Sequence, residues 1–344
     1  MPRRPDPADP QPAPVEDSGG QPEPPSERGV VPPYPGRGGG AATSSFAIPQ
    51  DSSRGLPVRP APLAIGSRTF AWGSRTFVMG ILNVTPDSFS GDGLIDAAGD
   101  PVRTAVARGR EMVADGADLL DVGGESSRPG HASVSAADEI ARIVPVIRAL
   151  RAALPDIPIS VDTTKPAVAD AAIEAGAHML NDVWGVSPDG GLARVAAVHS
   201  VPLVVMHNRA EARYMNLVPE ILADLQRALE RALAAGVAWE HLIVDPGFGF
   251  GKAPPHNLAL LRGLASFRLL GRPILLGTSR KSTLGKVLDL PADERVEATL
   301  ATTVLGIASG VDVVRVHDVR ANVRAARIAD AVVRGWDPDP GGDA

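Results

Sequence analysis

At 344 residues, with 44% hydrophobic and 22% charged side chains, the chain has the make-up of a globular protein, large enough for an α/β barrel of about 250 residues with extensions. A net charge of -6 argues against a nucleic-acid or anionic-membrane partner, and the absence of cysteine excludes disulfides, thiolate nucleophiles and thiolate metal ligands. No run approaches the ~18 apolar residues of a spanning helix, and neither a signal-peptide core nor an acid-poor transit segment is visible, so a cytoplasmic protein is expected.

Residues 1–60 are rich in Pro, Gly, Ser, Arg and acids, as in Pro35-Gly-Arg-Gly-Gly-Gly40, and predict a disordered tail without a catalytic role. Residues 63–335 are expected to form one domain, with 336–344 a disordered end. Thr69–Phe77 reads as a hairpin turning at Gly73-Ser74 and capping the bottom of that domain. Flat apolar runs near 77–83, 119–122, 158–162, 179–183, 202–206, 242–245, 274–278 and 313–316 predict buried parallel strands. Helical spacing follows near 101–115, 135–154, 166–176, 190–199, 219–235, 256–270, 293–309 and 319–333. The alternation predicts a closed (β/α)₈ TIM barrel. An open doubly wound sheet would need a G-x-G-x-x-G turn after its first strand, and that strand instead runs into Asn83-Val-Thr-Pro-Asp-Ser-Phe89.

Polar residues stand at the ends of these strands: Asn83, Asp121, Asp162, Asn181, Asp182, His207, Asp245, Ser279 and His317. In a barrel such positions surround one mouth. Asp162, Asn181 and Asp245 are acceptors suited to the paired N–H edge of a flat heterocycle; any one of them could instead cap the next helix. A cationic group, Arg128, the run Ser279-Arg-Lys-Ser282, and the pair Arg315 and His317 on one strand face, suits a phosphate. A charge pair with a neighbouring acid such as Asp318 is the alternative for Arg315. Gly247-Phe-Gly-Phe-Gly-Lys252 is one residue short of P-loop spacing, and no H-E-x-x-H or G-x-S-x-G is present. Binding and electrostatics are left as the source of any catalysis.

The set Gly80-Ile-Leu-Asn-Val-Thr-Pro-Asp-Ser-Phe-Ser90, Asp121-Val-Gly-Gly-Glu-Ser-Ser-Arg-Pro-Gly130, Ser160-Val-Asp-Thr163, Asn181-Asp182, Met206-His207, Asp245-Pro-Gly-Phe-Gly-Phe-Gly-Lys252, Ser279-Arg-Lys281 and Arg315-Val-His317 resembles the dihydropteroate synthases, in their order, over roughly residues 68–335. The resemblance implies a transferase of folate biosynthesis that joins 6-hydroxymethyl-7,8-dihydropterin diphosphate to 4-aminobenzoate, giving 7,8-dihydropteroate and pyrophosphate by a dissociative route. It also implies Mg²⁺, competition by sulfonamides and a homodimer. By the same resemblance Asp162, Asn181, Met206, Asp245, Phe250 and Lys281 hold the pterin, and Asn83, Arg128, Arg315 and His317 the diphosphate. Phe89, Ser127, Arg128, Pro129 and Ser282 form the aminobenzoate site. Asp162, Lys281, Arg315 and His317 are the expected catalytic set, with Asn83 at the metal and Asp92 its candidate second ligand.

Two positions depart from the family. Ser90-Gly-Asp-Gly93 shifts the loop acid Asp92 by one place, and Ser127 replaces a commoner threonine but keeps the hydroxyl. A pterin-binding methyltransferase-type barrel is the alternative enzyme; it would not need Ser279-Arg-Lys281 or the Arg315 and His317 pair. A catalytically silent pterin-binding paralogue is the other alternative, and degraded motifs would favour it.

Overall fold

The computed structural model describes residues 59–85, 100–125 and 134–336. Residues 1–58 of the expected tail (1–60), residues 337–344 of the expected end (336–344), and Phe89, Asp92, Ser127, Arg128 and Pro129 lie outside the described residues. A short antiparallel hairpin, β1 (Leu63–Ile65) with β2 (Arg68–Phe70), precedes eight parallel strands. These are β3 (Phe77–Asn83), β4 (Leu119–Gly123), β5 (Ile159–Asp162), β6 (Met179–Asp182), β7 (Leu203–Met206), β8 (Leu242–Asp245), β9 (Leu275–Leu276) and β10 (Val313–Val316). Each strand lies beside its neighbour in sequence, and β10 returns to β3. A bridge between Val244 and Ile274 brings β8 to β9 and closes the ring. The expected TIM barrel is therefore the observed fold.

Helices α1 (Pro101–Ala114), α2 (Ala136–Ala153), α3 (Pro166–Glu174), α4 (Gly191–Val198) and α5 (Leu217–Ala234) follow the strands in turn. They are followed by α6 (Pro254–Arg262), α7 (Ser282–Leu288), α8 (Val296–Ala308) and α9 (Val319–Arg334). Local chemistry sets their starts: the Asp100 carboxylate accepts from Val102 N–H at 2.9 Å before Pro101, and Ser135 Oγ accepts from Asp138 N–H at 3.1 Å. The predicted helix at 256–270 is two pieces, α6 and a 3₁₀ turn at Leu264–Leu270, broken at Gly263. The one at 293–309 begins at Val296. Helix α7 was not expected; its seven residues are too few to show a period.

The hairpin turns seven residues earlier than expected, at residue 66 and not 73. Its turn is Gly66-Ser67, where Gly66 takes the left-handed φ of 59° that a two-residue hairpin needs. Gly73-Ser74 makes a second tight turn, bridging Trp72 and Arg75, and Phe77 belongs to the barrel. The expected role holds. Leu63, Ile65, Phe70 and Trp72 pack with Phe77, Met79, Leu119, Met179, Val204, Ile243, Leu275 and Val313 inside the strand ring. The Phe70 and Phe77 rings lie 4.7 Å apart, so aromatic side chains fill the bottom of the barrel and the opposite end is left for polar groups. The other side of the strands, with the helices, forms the larger apolar core.

Candidate active site

Register fixes the first layer of the site. Asp162 sits opposite Gly123 on one side and Asn181 on the other, while Met206 sits opposite Asp245. Gly123 has no side chain where Asn83 and Asp162 converge: a Cβ there would stand 3.6 Å from Asp162 Cβ and 3.8 Å from Asn83 Oδ1. Gly277 is placed likewise between Arg315 and Lys281. Small residues in the strands thus leave volume where functional side chains meet.

At the centre, Arg315 Nε donates to Asp121 Oδ2 at 2.6 Å and Nη2 donates to Asp162 Oδ2 at 2.8 Å. Asn181 Nδ2 donates to the same Asp121 oxygen at 3.3 Å. The ion pair foreseen as an alternative for Arg315 is therefore present, but with Asp121 and Asp162; it is Arg280 that pairs with Asp318. Sequence reasoning placed Asp121 at a strand end and gave it no role. Its signal was a charge inside the apolar run Leu119-Leu-Asp-Val122, which demands a buried partner.

The electrostatics follow from crowding. Three carboxyls, Asp121, Asp162 and Asp245, face two cations, Lys281 and Arg315. Burial pushes Asp162 up to about 7 against the pull of Arg315, and Asp121 pushes in the same direction as burial. Asp245 is raised by burial, with Lys281 and the Gly247 N–H, 2.7 Å from its Oδ1, acting against the rise. Burial lowers Lys281 to about 8, while Arg315, despite its burial, is held protonated by Asp121 and Asp162. Lys281 Nζ donates to Phe248 O and lies 4.4 Å from the centroid of the Phe250 ring. A cationic lysine, two carboxyls and an aromatic face thus surround one space. A cavity of about 510 Å³ adjoins it, lined in part by Asp162, Val183, Trp184, Gly249 and Phe250.

The remaining predicted residues lie around this centre. His317 is at the end of β10 with Nδ1 3.0 Å from Ser279 Oγ, and Ser279 Oγ also accepts from the His317 N–H at 3.1 Å. Ser282 is exposed at the start of α7, next to Lys281. Met206 is buried at the end of β7. Asp182 is spent locally, accepting from Trp184 and Val186 N–H groups, each at 2.8 Å. The loop after β8 is tightly determined: Gly247 has φ of 72°, and a Cβ there would stand 1.8 Å from His207 O. Gly124 is a packing site, since a Cβ there would meet Ile143 at 2.7 Å. The described residues contain no cluster of three or more His, Cys, Asp or Glu able to hold a metal.

The pterin binding enzyme family matches residues 79–317, the span that holds every strand-end residue described above. The chain is 50% identical over 273 residues to the dihydropteroate synthase of Clostridium beijerinckii, covering 79% of this chain and all of that one. This chain belongs to the dihydropteroate synthase family. Among solved members, that of Clostridium difficile, determined with pteroic acid, is 47% identical with a TM-score of 0.73 over 77% of this chain and 99% of its own. The Xanthomonas albilineans dihydropteroate synthase with 4-aminobenzoic acid is 40% identical, with a TM-score of 0.74 over 79% and 98%. Asp162, Asn181, Asp245, Lys281 and Arg315, which converge at one end of the barrel, all lie within the span that the family matches.

Proposed function

We propose that the chain condenses 6-hydroxymethyl-7,8-dihydropterin diphosphate with 4-aminobenzoate to form 7,8-dihydropteroate and pyrophosphate. The observation that carries this is the juxtaposition of a pterin-type acceptor set, Asp162, Asn181 and Asp245, with the buried cation Arg315, bonded directly to Asp162. A pterin N–H edge satisfies the carboxyls that crowd this space, and the diphosphate, entering between Arg315 and His317, supplies the anion. A methyltransferase-type barrel has no use for that second half.

In the reaction the C–O bond between the pterin methylene and the diphosphate breaks, its electron pair leaving with pyrophosphate. The aminobenzoate nitrogen then bonds to the methylene and gives up a proton. The developing cation ~4 Å from an ionised Asp162 would gain about 4 kcal/mol at an effective dielectric near 20. Arg315 stabilises the departing charge and, as pyrophosphate forms, no longer has to neutralise Asp162 alone. Lys281 and Phe250 orient the ring, while Ser282 and the family positions Phe89, Ser127, Arg128 and Pro129 receive the second substrate.

Mg²⁺ fits this reading as a partner of the substrate more than of the protein. Asn83, beside Asp162, offers one amide oxygen, and Mg²⁺ is commonly held through substrate phosphates with few protein ligands. When bound, it would neutralise diphosphate charge. The family resemblance adds Asp92 as a second ligand. The family also implies cytoplasmic action and a homodimer; exposed apolar side chains on α8 and α9, among them Leu305, Ile328 and Val332, are a face that a second copy would cover.

The purified chain, given both substrates and Mg²⁺, should release pyrophosphate, and sulfonamides should inhibit in competition with 4-aminobenzoate. Arg315→Ala should retain affinity for 6-hydroxymethyl-7,8-dihydropterin within a few-fold, yet lose roughly 100-fold in turnover, about 3 kcal/mol for one buried charged contact. Calorimetry with the alcohol and its diphosphate ester decides the assignment: equal affinity of parent and variant for the ester would remove Arg315 from the anion site.

A further inference from the structure

Beneath the pterin site lies a buried lysine that the reaction does not use. Lys252 Nζ donates to Gly247 O at 2.9 Å and to Phe250 O at 3.0 Å, and stands 2.8 Å from His207 Nδ1. An ammonium has three N–H donors, and these three acceptors use all of them. His207 Nε2 in turn lies 3.1 Å from Asp224 Oδ2, which also receives Arg209 Nε at 2.8 Å. The network assigns His207 as the neutral Nε2–H tautomer, its Nδ1 lone pair facing the lysine. Burial and the neighbouring Lys252 charge lower the His207 pKa to about 4, in keeping with that assignment.

The two carbonyls that Lys252 holds bracket Phe248 and Gly249, the centre of the loop between β8 and α6. That loop carries Phe250 and braces Asp245 at the end of β8. Its Gly247 N–H fixes Asp245 Oδ1, its Gly249 N–H is tied at 2.7 Å to Asn257 Oδ1, and Phe250 meets Lys281. Lys281 takes the Phe248 carbonyl between them. The same loop is thus held by two lysines, one beside Asp162 and Asp245 and one, 8% exposed, at the wall of the adjoining cavity.

We propose that Lys252, oriented by His207, is a positioning residue for the pterin: it fixes the Gly247–Phe250 loop so that Asp245 and Phe250 keep their places when Lys281 turns from Phe248 O to the ligand. This rests on the pterin reading of the site. The groups facing Lys252 are Asp245 from β8, His207 and Arg209 after β7, Asp224 from α5 and Lys281 before α7, with Tyr214 holding Gly251 O at 2.8 Å. Burial brings the lysine down to about 7. A neutral amine keeps only two N–H donors for three acceptors, so the hold on the loop weakens as pH rises through that value.

The test compares two ligands of the full-length protein by calorimetry, 6-hydroxymethyl-7,8-dihydropterin and pyrophosphate with Mg²⁺. Lys252→Met should lose roughly 10–100-fold in pterin affinity, the range for stranding buried acceptors, while pyrophosphate affinity stays within about two-fold. In turnover the KM for the pterin diphosphate should rise with that for 4-aminobenzoate unchanged. His207→Leu, which leaves the two carbonyl bonds and removes the third partner, should show the same selectivity at roughly 5-fold, and it carries the comparison if Lys252→Met does not fold. Unchanged pterin affinity, or equal losses for both ligands, overturns the proposal. A parent protein that binds no pterin would sink the functional reading instead.

Discussion

At the scale of the residue, Asp162 is the group whose protonation matters most. Its folded pKa of about 7 lies above the unfolded value, so the native state binds the extra proton between roughly pH 4 and 7. The stability this contributes is complete below pH 4 and is lost as pH rises through 7. Lys252 and Lys281 act in the opposite sense: their folded values of about 7 and 8 lie below the unfolded one, so stability is gained as pH rises from these values towards roughly 10.4. These groups together place a minimum of ligand-free stability near neutrality. Urea titrations at pH 5, 7.5 and 9.5 should show it, and Asp162→Asn should make the acidic limb shallower while leaving the basic limb unchanged, with the raised Asp245 still contributing below neutrality. The same substitution should slow single turnovers more than it weakens pterin binding, because the charge is needed when the cation forms. Asp245→Asn should chiefly weaken binding, since an amide donor then meets a donor edge. Equal affinity losses with unaltered single-turnover rates in both variants would refute that division of labour.

The elements divide the barrel into a packed bottom and a polar top, and the division predicts which substitutions touch function. Phe70 of β2 is 1% exposed and packed on Phe77 and Trp72 at the bottom of the barrel. Phe70→Ala should cost about 3–5 kcal/mol of stability through lost transfer energy and the cavity left behind. Turnover at 25 °C should stay within two-fold of the parent, provided the protein remains folded. A marked fall in kcat for the folded variant, read beside its circular dichroism, would show that the bottom plug and the site are coupled. The loop after β8 is the contrary case, since Gly247 is closed to any side chain by His207 O. There, stability and function rest on the same backbone.

For the whole molecule, the outward faces of α8 and α9 carry the prediction. Leu305 is 48%, Ile328 70% and Val332 72% exposed. Clustered apolar surface of this kind is characteristic of an association site. Sedimentation equilibrium should give twice the mass of the chain, and Ile328→Glu with Val332→Glu should shift it to monomer with the barrel still folded. A parent that sediments as a monomer at micromolar concentration rules the homodimer out.

The barrel was legible in the sequence because both faces of a parallel strand are buried, which leaves flat apolar runs such as Leu203-Val-Val-Met206, and because each run is followed by a segment of helical spacing. The strand-end residues were legible for a related reason: a polar group that ends an apolar run has few places to go but the barrel mouth. Asp162, Asn181, Asp245 and Arg315 all proved to be there. Short or irregular pieces gave no such signal. The seven residues of α7 are too few for a period, and the hairpin register turned on Gly66, one of two glycine turns that look equivalent in sequence. What only the tertiary structure decided was pairing. The sequence could not say that Arg315 is shared by Asp121 and Asp162 across 194 and 153 residues, or that Lys252 reaches His207 across 45. Local pattern records how a residue must face its own element; which buried charge neutralises which is set by the ring closing on itself, and that is a property of all eight strands together.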